Sequence, residues 1–217
     1  MSDETEVQLI AQLDRIADKL DHLREADKAF SVFGSDSHGY LLGPKLIERD
    51  LLAVEQRLGI RLPNEYRLFL TRLGEGGAGP FYGLFTLYGE DLEDITNPQN
   101  VRKPFRWSEA FNPYDWEDPC SQEDVWCDDA QVSGNPQIIL HVPGALYICH
   151  FGCAIRFFLV VNGQCVGEVW RDSQADEGGI LPECGEDGGH LCFLDWYERW
   201  LDDAISRQMN PARRPQR

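Results

Sequence analysis

Glu55-Gln56-Arg57-Leu58-Gly59-Ile60-Arg61-Leu62-Pro63-Asn64-Glu65-Tyr66-Arg67-Leu68-Phe69-Leu70 holds a helix end, a break and a helix start. Upstream, Leu51, Val54 and Leu58 recur at helical spacing, and Gly59 follows them where a left-handed terminating residue is favoured. Pro63 then opens a second helix, because the first helical position needs no N–H. Tyr66, Phe69, Leu70 and Leu73 form its apolar stripe, and Gly74 ends it. Helices are therefore predicted over 44–58 and 63–73.

Outward from this pair, the N-terminal side predicts a helix over 4–30. Leu9, Leu13, Ile16, Leu20 and Leu23 alternate by four and three residues, an amphipathic seam that either packs on its own domain or meets a second chain. Residues 31–43 are a Gly- and Ser-rich connection. On the C-terminal side, Gly74-Glu75-Gly76-Gly77-Ala78-Gly79 matches G-x-G-x-x-G. A dinucleotide site needs a strand before those glycines and a helix after them. Here the order is reversed, so the run reads as a tight turn into a strand over 81–88.

Residues 89–135 form a polar, Pro-rich excursion. Strands are expected over 137–142, 145–151 and 154–161. Asn162-Gly163 signals a hairpin into 164–171. Residues 172–189 read as an acidic, Gly-rich loop, and Phe193, Trp196, Trp200, Leu201 and Ile205 give one face of a helix over 191–207. The pattern predicts an α+β fold with a mainly antiparallel sheet of about five to six strands flanked by helices. The organisation is an N-terminal amphipathic helix (1–30), one domain (31–207) and a short basic tail (208–217).

The chain has 217 residues, with 37 Asp+Glu against 20 Lys+Arg and a formal net charge of −17. Such a surface repels nucleic acid and attracts a basic partner. No segment reaches the roughly 18 apolar residues of a membrane span. The acidic N-terminus does not resemble a secretory signal, and the seven cysteines are odd in number and irregularly spaced, so a cytoplasmic protein with reduced thiols is expected.

No motif of covalent catalysis is present. Cys153 with His141 or His150 lacks an orienting third group, which leaves a hydrolase the weakest reading. Cys149-x₃-Cys153, with Cys184, His190 and Cys192, gives only one zinc-like spacing. Strand alternation would split that pair, and the expected role of these cysteines is as small apolar residues, with no metal and no cofactor.

The acidic residues are unevenly placed. Asp115, Glu117, Asp118, Glu123, Asp124, Asp128 and Asp129 stand with no Lys or Arg among them, interleaved with Trp116 and Trp126. A second tract holds Asp172, Asp176, Glu177, Glu183, Glu186 and Asp187, again unopposed. Acids steer a basic partner and tryptophans anchor it, so the first tract is the expected partner-binding surface. The competing reading is that its tryptophans pin the excursion to the core while its acids keep it soluble.

The segment 55–70 resembles the N-terminal signature of the SUKH superfamily, in which a helix ending in Leu-Gly precedes Leu-Pro, an acid and Tyr. Gly79-Pro80-Phe81-Tyr82-Gly83-Leu84 continues the likeness. So do Gly152-Cys153, Leu159-Val160-Val161-Asn162-Gly163, Gly167-Glu168-Val169-Trp170 and Phe193-Leu194-Asp195-Trp196. The resemblance implies a scaffold without a catalytic centre, in which Leu62, Pro63, Tyr66, Gly83, Gly152, Gly163 and Trp170 are structural. It further implies a bacterial immunity-type protein that neutralises a toxin domain, or a regulatory scaffold with another partner.

Overall fold

The computed structural model describes residues 3–88, 97–112 and 142–209. Its order is α1 (Asp3–Ala26), α2 (Ser35–His38), α3 (Glu48–Leu58), α4 (Asn64–Arg72), α5 (Pro98–Val101), β1 (Ala145–Gly152), β2 (Ile155–Val160), β3 (Val169–Asp172), β4 (Ile180–Pro182) and α6 (Phe193–Met209). The fold is α+β. Its strands form one antiparallel sheet in the order β1-β2-β3-β4, one strand short of the lower expectation.

The sheet is buried on both faces, which is why its strands read as nearly continuous apolar runs. Leu146, Ile148, Phe157, Leu159 and Val169 face the helical side, where α1, α3, α4 and α6 complete the main core. Tyr147, Phe158, Val160 and Trp170 face the other side and pack with Phe105, Phe111 and Ile180. A register shift between Tyr147 and Cys149 places both Ile148 and Cys149 in the main core.

The N-terminal seam is spent within the chain. Leu13, Ile16, Leu20 and Leu23 are buried, and α1 lies along α6 and touches α4. Each such side chain contributes about 1.5–3 kcal/mol by leaving water. No helix among the described residues is long and apolar enough to cross a membrane.

Four expectations shift. Residues 81–88 form no strand: a turn (Gly83 N–H to the Pro80 carbonyl, 3.0 Å) precedes isolated bridges from Leu84 to Gly77 and Cys149. Asn162-Gly163 is not a two-residue hairpin turn, because the β2–β3 connection takes 161–168. Gly163, at φ 115°, lies so close to Phe105 that a Cβ would sit 2.5 Å from the Phe105 carbonyl oxygen. The tight hairpin is at Cys153-Ala154, between β1 and β2, where φ is 50° and 64°. Cys153 is therefore an exposed turn residue and not a buried apolar one, and it does not lie on a strand opposite Cys149. Finally, β4 emerges from the expected loop by pairing Ile180 with Asp172. The strand expected over 137–142 lies outside the described residues except for Val142.

Candidate functional site

Past the end of α1 the loop amides of Ser31 and Val32 need an acceptor in place of a helical carbonyl. Asp27, only 2% exposed, supplies it with one carboxylate. It accepts from Ser31 N–H (2.8 Å), Ser31 Oγ (2.8 Å), Val32 N–H (3.1 Å) and Tyr40 Oη (2.6 Å). Burial pushes its pKa up, yet the hydrogen bonds from Tyr40, Ser31 and Val32 outweigh that and hold it below the usual carboxylate value. The loop so fixed carries Phe30 and Phe33, which are 44% and 52% exposed.

Phe33 is the centre of a surface aromatic cluster. Its ring lies 5.3 Å from Tyr82, 5.6 Å from Phe151 and 6.3 Å from Phe81. Phe81 continues inward, 4.7 Å from Phe151 and stacked on Phe157 at 5.1 Å. Tyr82 stacks on His150 at 5.0 Å. Rings at these separations are in contact range, and edge-on or offset pairs gain beyond their buried area. The cluster floors and walls an open cleft of about 420 Å³. Its far wall is the exposed side of α6, with Trp200, Arg199, Asp203 and Arg207, and Glu183 enters from the strand side.

Phe81, which lines the cleft, has a φ of 55°, a region bulky residues rarely enter. Gly34 is required beside it: a Cβ there would lie 2.1 Å from the Phe81 carbonyl oxygen. Strain of this kind persists only where the surroundings impose it, and it concentrates at functional surfaces.

The polar groups are mixed. Burial raises the Glu183 pKa against the opposing pull of Arg171 and Arg199, and Arg199 donates to the Cys184 carbonyl. Behind the cleft, burial lowers the His38 pKa to about 4. Its Nδ1 accepts from Tyr40 N–H at 3.1 Å, and its ring meets Trp200 edge-on at 5.9 Å. This arrangement supplies desolvatable aromatic area with a charged rim, the composition of a contact surface.

Residues 45–196 match the SMI1 / KNR4 family (SUKH-1). The chain belongs to that family. The SUKH family includes toxin immunity proteins. No curated protein and no solved structure matches the chain.

The family region supplies Phe81, Tyr82, Phe151 and Glu183 to the cleft and its aromatic cluster. Phe33 precedes that region, and Arg199, Trp200, Asp203 and Arg207 follow it. The cleft is thus a family core completed by two segments from outside the matched residues.

Within the family region, Leu62, Tyr66 and Trp170 are buried and Pro63 precedes α4. Gly83, Gly152 and Gly163 hold φ of 95°, 112° and 115°. Asp115, Trp116, Glu117, Asp118, Glu123, Asp124, Trp126, Asp128 and Asp129 lie outside the described residues, as do Cys120, Cys127 and His141. The second acidic tract divides. Asp172 is buried and accepts from Tyr147 Oη at 2.7 Å, whereas Asp176, Glu177, Glu186 and Asp187 are exposed. Among the described residues, no three His, Cys, Asp or Glu side chains converge as metal ligands. Cys149 is buried and its thiol donates to the Pro80 carbonyl at 3.1 Å. Sequence reading missed Phe33, Tyr82 and Phe151 as a group. The available signal was Phe33, a large aromatic directly before a glycine in a Gly- and Ser-rich connection.

Proposed function

We propose that this SUKH-family chain is a non-enzymatic immunity-type protein of the bacterial cytoplasm. It binds a basic toxin domain, of nuclease or deaminase type, and occludes its active site. Membership of a family that includes toxin immunity proteins carries the reading. The net charge of −17 and the exposed aromatic cluster support it, since charge steers encounter and aromatic anchors hold the complex. In this reading the acids at 115–129 present carboxylates where a cationic cleft would receive phosphate, and Phe33, Tyr82 and Phe151 add an apolar contact.

The test uses the basic C-terminal domain of a secreted protein encoded in the adjacent reading frame. Co-expression should protect cells from that domain, and the two purified proteins should bind. Replacing Glu123, Asp124, Asp128 and Asp129 by their amides should slow association without unfolding the chain. Unchanged association would end the carboxylate-mimicry mechanism, and failure to protect or bind would end the immunity reading for that pair.

A further inference from the structure

We infer that Asp27 is the positioning residue of the aromatic cleft, its buried carboxylate holding the loop that presents Phe33. The functional part of this inference rests on the reading that the cleft meets a partner. The structural part stands on the hydrogen-bond geometry alone.

Four donors converge on the two oxygens. Oδ1 takes Ser31 N–H and Ser31 Oγ; Oδ2 takes Val32 N–H and Tyr40 Oη. Other contacts hold the loop at its flanks: Ser35 Oγ donates to the Val32 carbonyl at 2.7 Å, and Val32 packs partly against the main core. Phe30 N–H returns to the Asp27 carbonyl at 3.1 Å and Ser35 N–H to the Val32 carbonyl at 3.1 Å, so the carboxylate bridges the interval between these two turns. Gln208 at the end of α6 donates to Ser31 Oγ at 2.6 Å, which ties the same loop to the opposite wall of the cleft. Phe33 itself stays 52% exposed, so burial of its ring does not suffice to hold it. Its place against Tyr82 and Phe151 follows from where residues 31 and 32 are pinned. Asp27, Ser31, Val32 and Phe33 all precede the residues that match the family, so this presentation is an addition to the family core.

An asparagine at position 27 keeps one acceptor oxygen and turns an amide toward the donors of the other. It should therefore free one half of the loop without opening a cavity. In full-length Asp27→Asn, amide exchange at Ser31 or Val32 should quicken about tenfold, the effect of losing one charge-assisted hydrogen bond. The Phe33 ring resonances, displaced by the ring currents of Tyr82 and Phe151, should move toward free-chain values. Resonances of Phe158 and Leu159 in β2 should not move. Tyr40→Phe removes only one of the four donors and should produce a smaller displacement of the same signals. Asp27→Glu, which retains the charge on a longer stem, should restore part of the Phe33 shift.

Phe33 signals in Asp27→Asn that superimpose on those of the parent protein overturn the inference. So do β2 signals that change along with them, since the residue is then a general support of the fold. The binding arm separates the two levels. Displaced Phe33 signals with faster dissociation from the basic domain tested above support both. Displaced signals with unchanged dissociation leave Asp27 as the positioning residue and remove the cleft from the contact surface.

Discussion

His38 shows how one residue in this fold reports its surroundings. Burial dominates and lowers its pKa to about 4 from the ordinary 6.5; its Nε2 is enclosed without a well-formed hydrogen bond, near the Phe81 and Gly79 carbonyls. In the unfolded chain the imidazole takes up a proton as pH falls through 6.5, while in the folded chain it does not until about 4. Between those values the unfolded state binds more protons, so this residue's contribution to stability is complete above 6.5 and is lost progressively toward pH 4. An NMR titration should find the midpoint of its ring protons shifted down to about 4, because desolvation disfavours the charged ring. A midpoint near 6.5 would mean that the site behind Trp200 is open to water. Asp27 has the opposite sign of charge. Its folded pKa is lowered, so the stability it contributes is present above the ordinary carboxylate value and disappears only as pH falls through the folded one.

At the scale of elements, α1 and α6 show why some of the fold was legible in sequence. A periodic apolar seam predicts a helix whatever it packs against, and the expected ends of both helices lie within a few residues of the observed ones. The partner of the α1 seam was not legible, since Leu13, Ile16, Leu20 and Leu23 suit another chain as well as α6. The choice is written in side chains far apart in sequence: Glu198 accepts from Gln12, Arg15 and Lys19, and Lys19 also pairs with Asp202. Ile16→Ala should cost about 2–5 kcal/mol because it empties a closed site. Glu198→Ala should cost about 1–3 kcal/mol, toward the lower end because Arg15 is largely exposed. Urea unfolding checks both, and an Ile16→Ala cost below that of Glu198→Ala would contradict a seam packed on its own domain. Strands were less legible than helices. β4 is three residues in an acidic, Gly-rich run, and only pairing with β3 makes it a strand. The Cys153-Ala154 turn has none of the Asn-Gly chemistry by which a hairpin is recognised. The cleft was illegible for a related reason: Phe33, the pair Phe81-Tyr82, Phe151 and Trp200 come from four separate segments of the chain, and no spacing links those segments.

The whole molecule carries −17 charges, and this excess and the cleft act on different stages of the proposed encounter. Long-range attraction accelerates approach, whereas contacts that form only after docking set how long the complex lasts. The screening length is about 10 Å at 0.1 M salt and about 3 Å at 1 M, so steering by separated surface carboxylates is strongly damped across that range. Aromatic burial at Phe33, Tyr82 and Phe151 does not depend on this screening. For the basic domain of the adjacent frame, the association rate should fall by about tenfold or more between roughly 50 mM and 500 mM salt, as expected of a steered pair. Phe33→Ser should leave that salt slope unchanged and raise the dissociation rate by about tenfold, the loss of a moderate anchor. The amide substitutions at Glu123, Asp124, Asp128 and Asp129 should do the reverse, flattening the slope with little effect on dissociation. Stopped-flow mixing of each variant across the salt series separates these outcomes. A salt-independent association rate would make the acidic excess a matter of solubility and leave recognition to the cleft. A Phe33→Ser dissociation rate equal to the parent's would remove the cleft and leave recognition to charge.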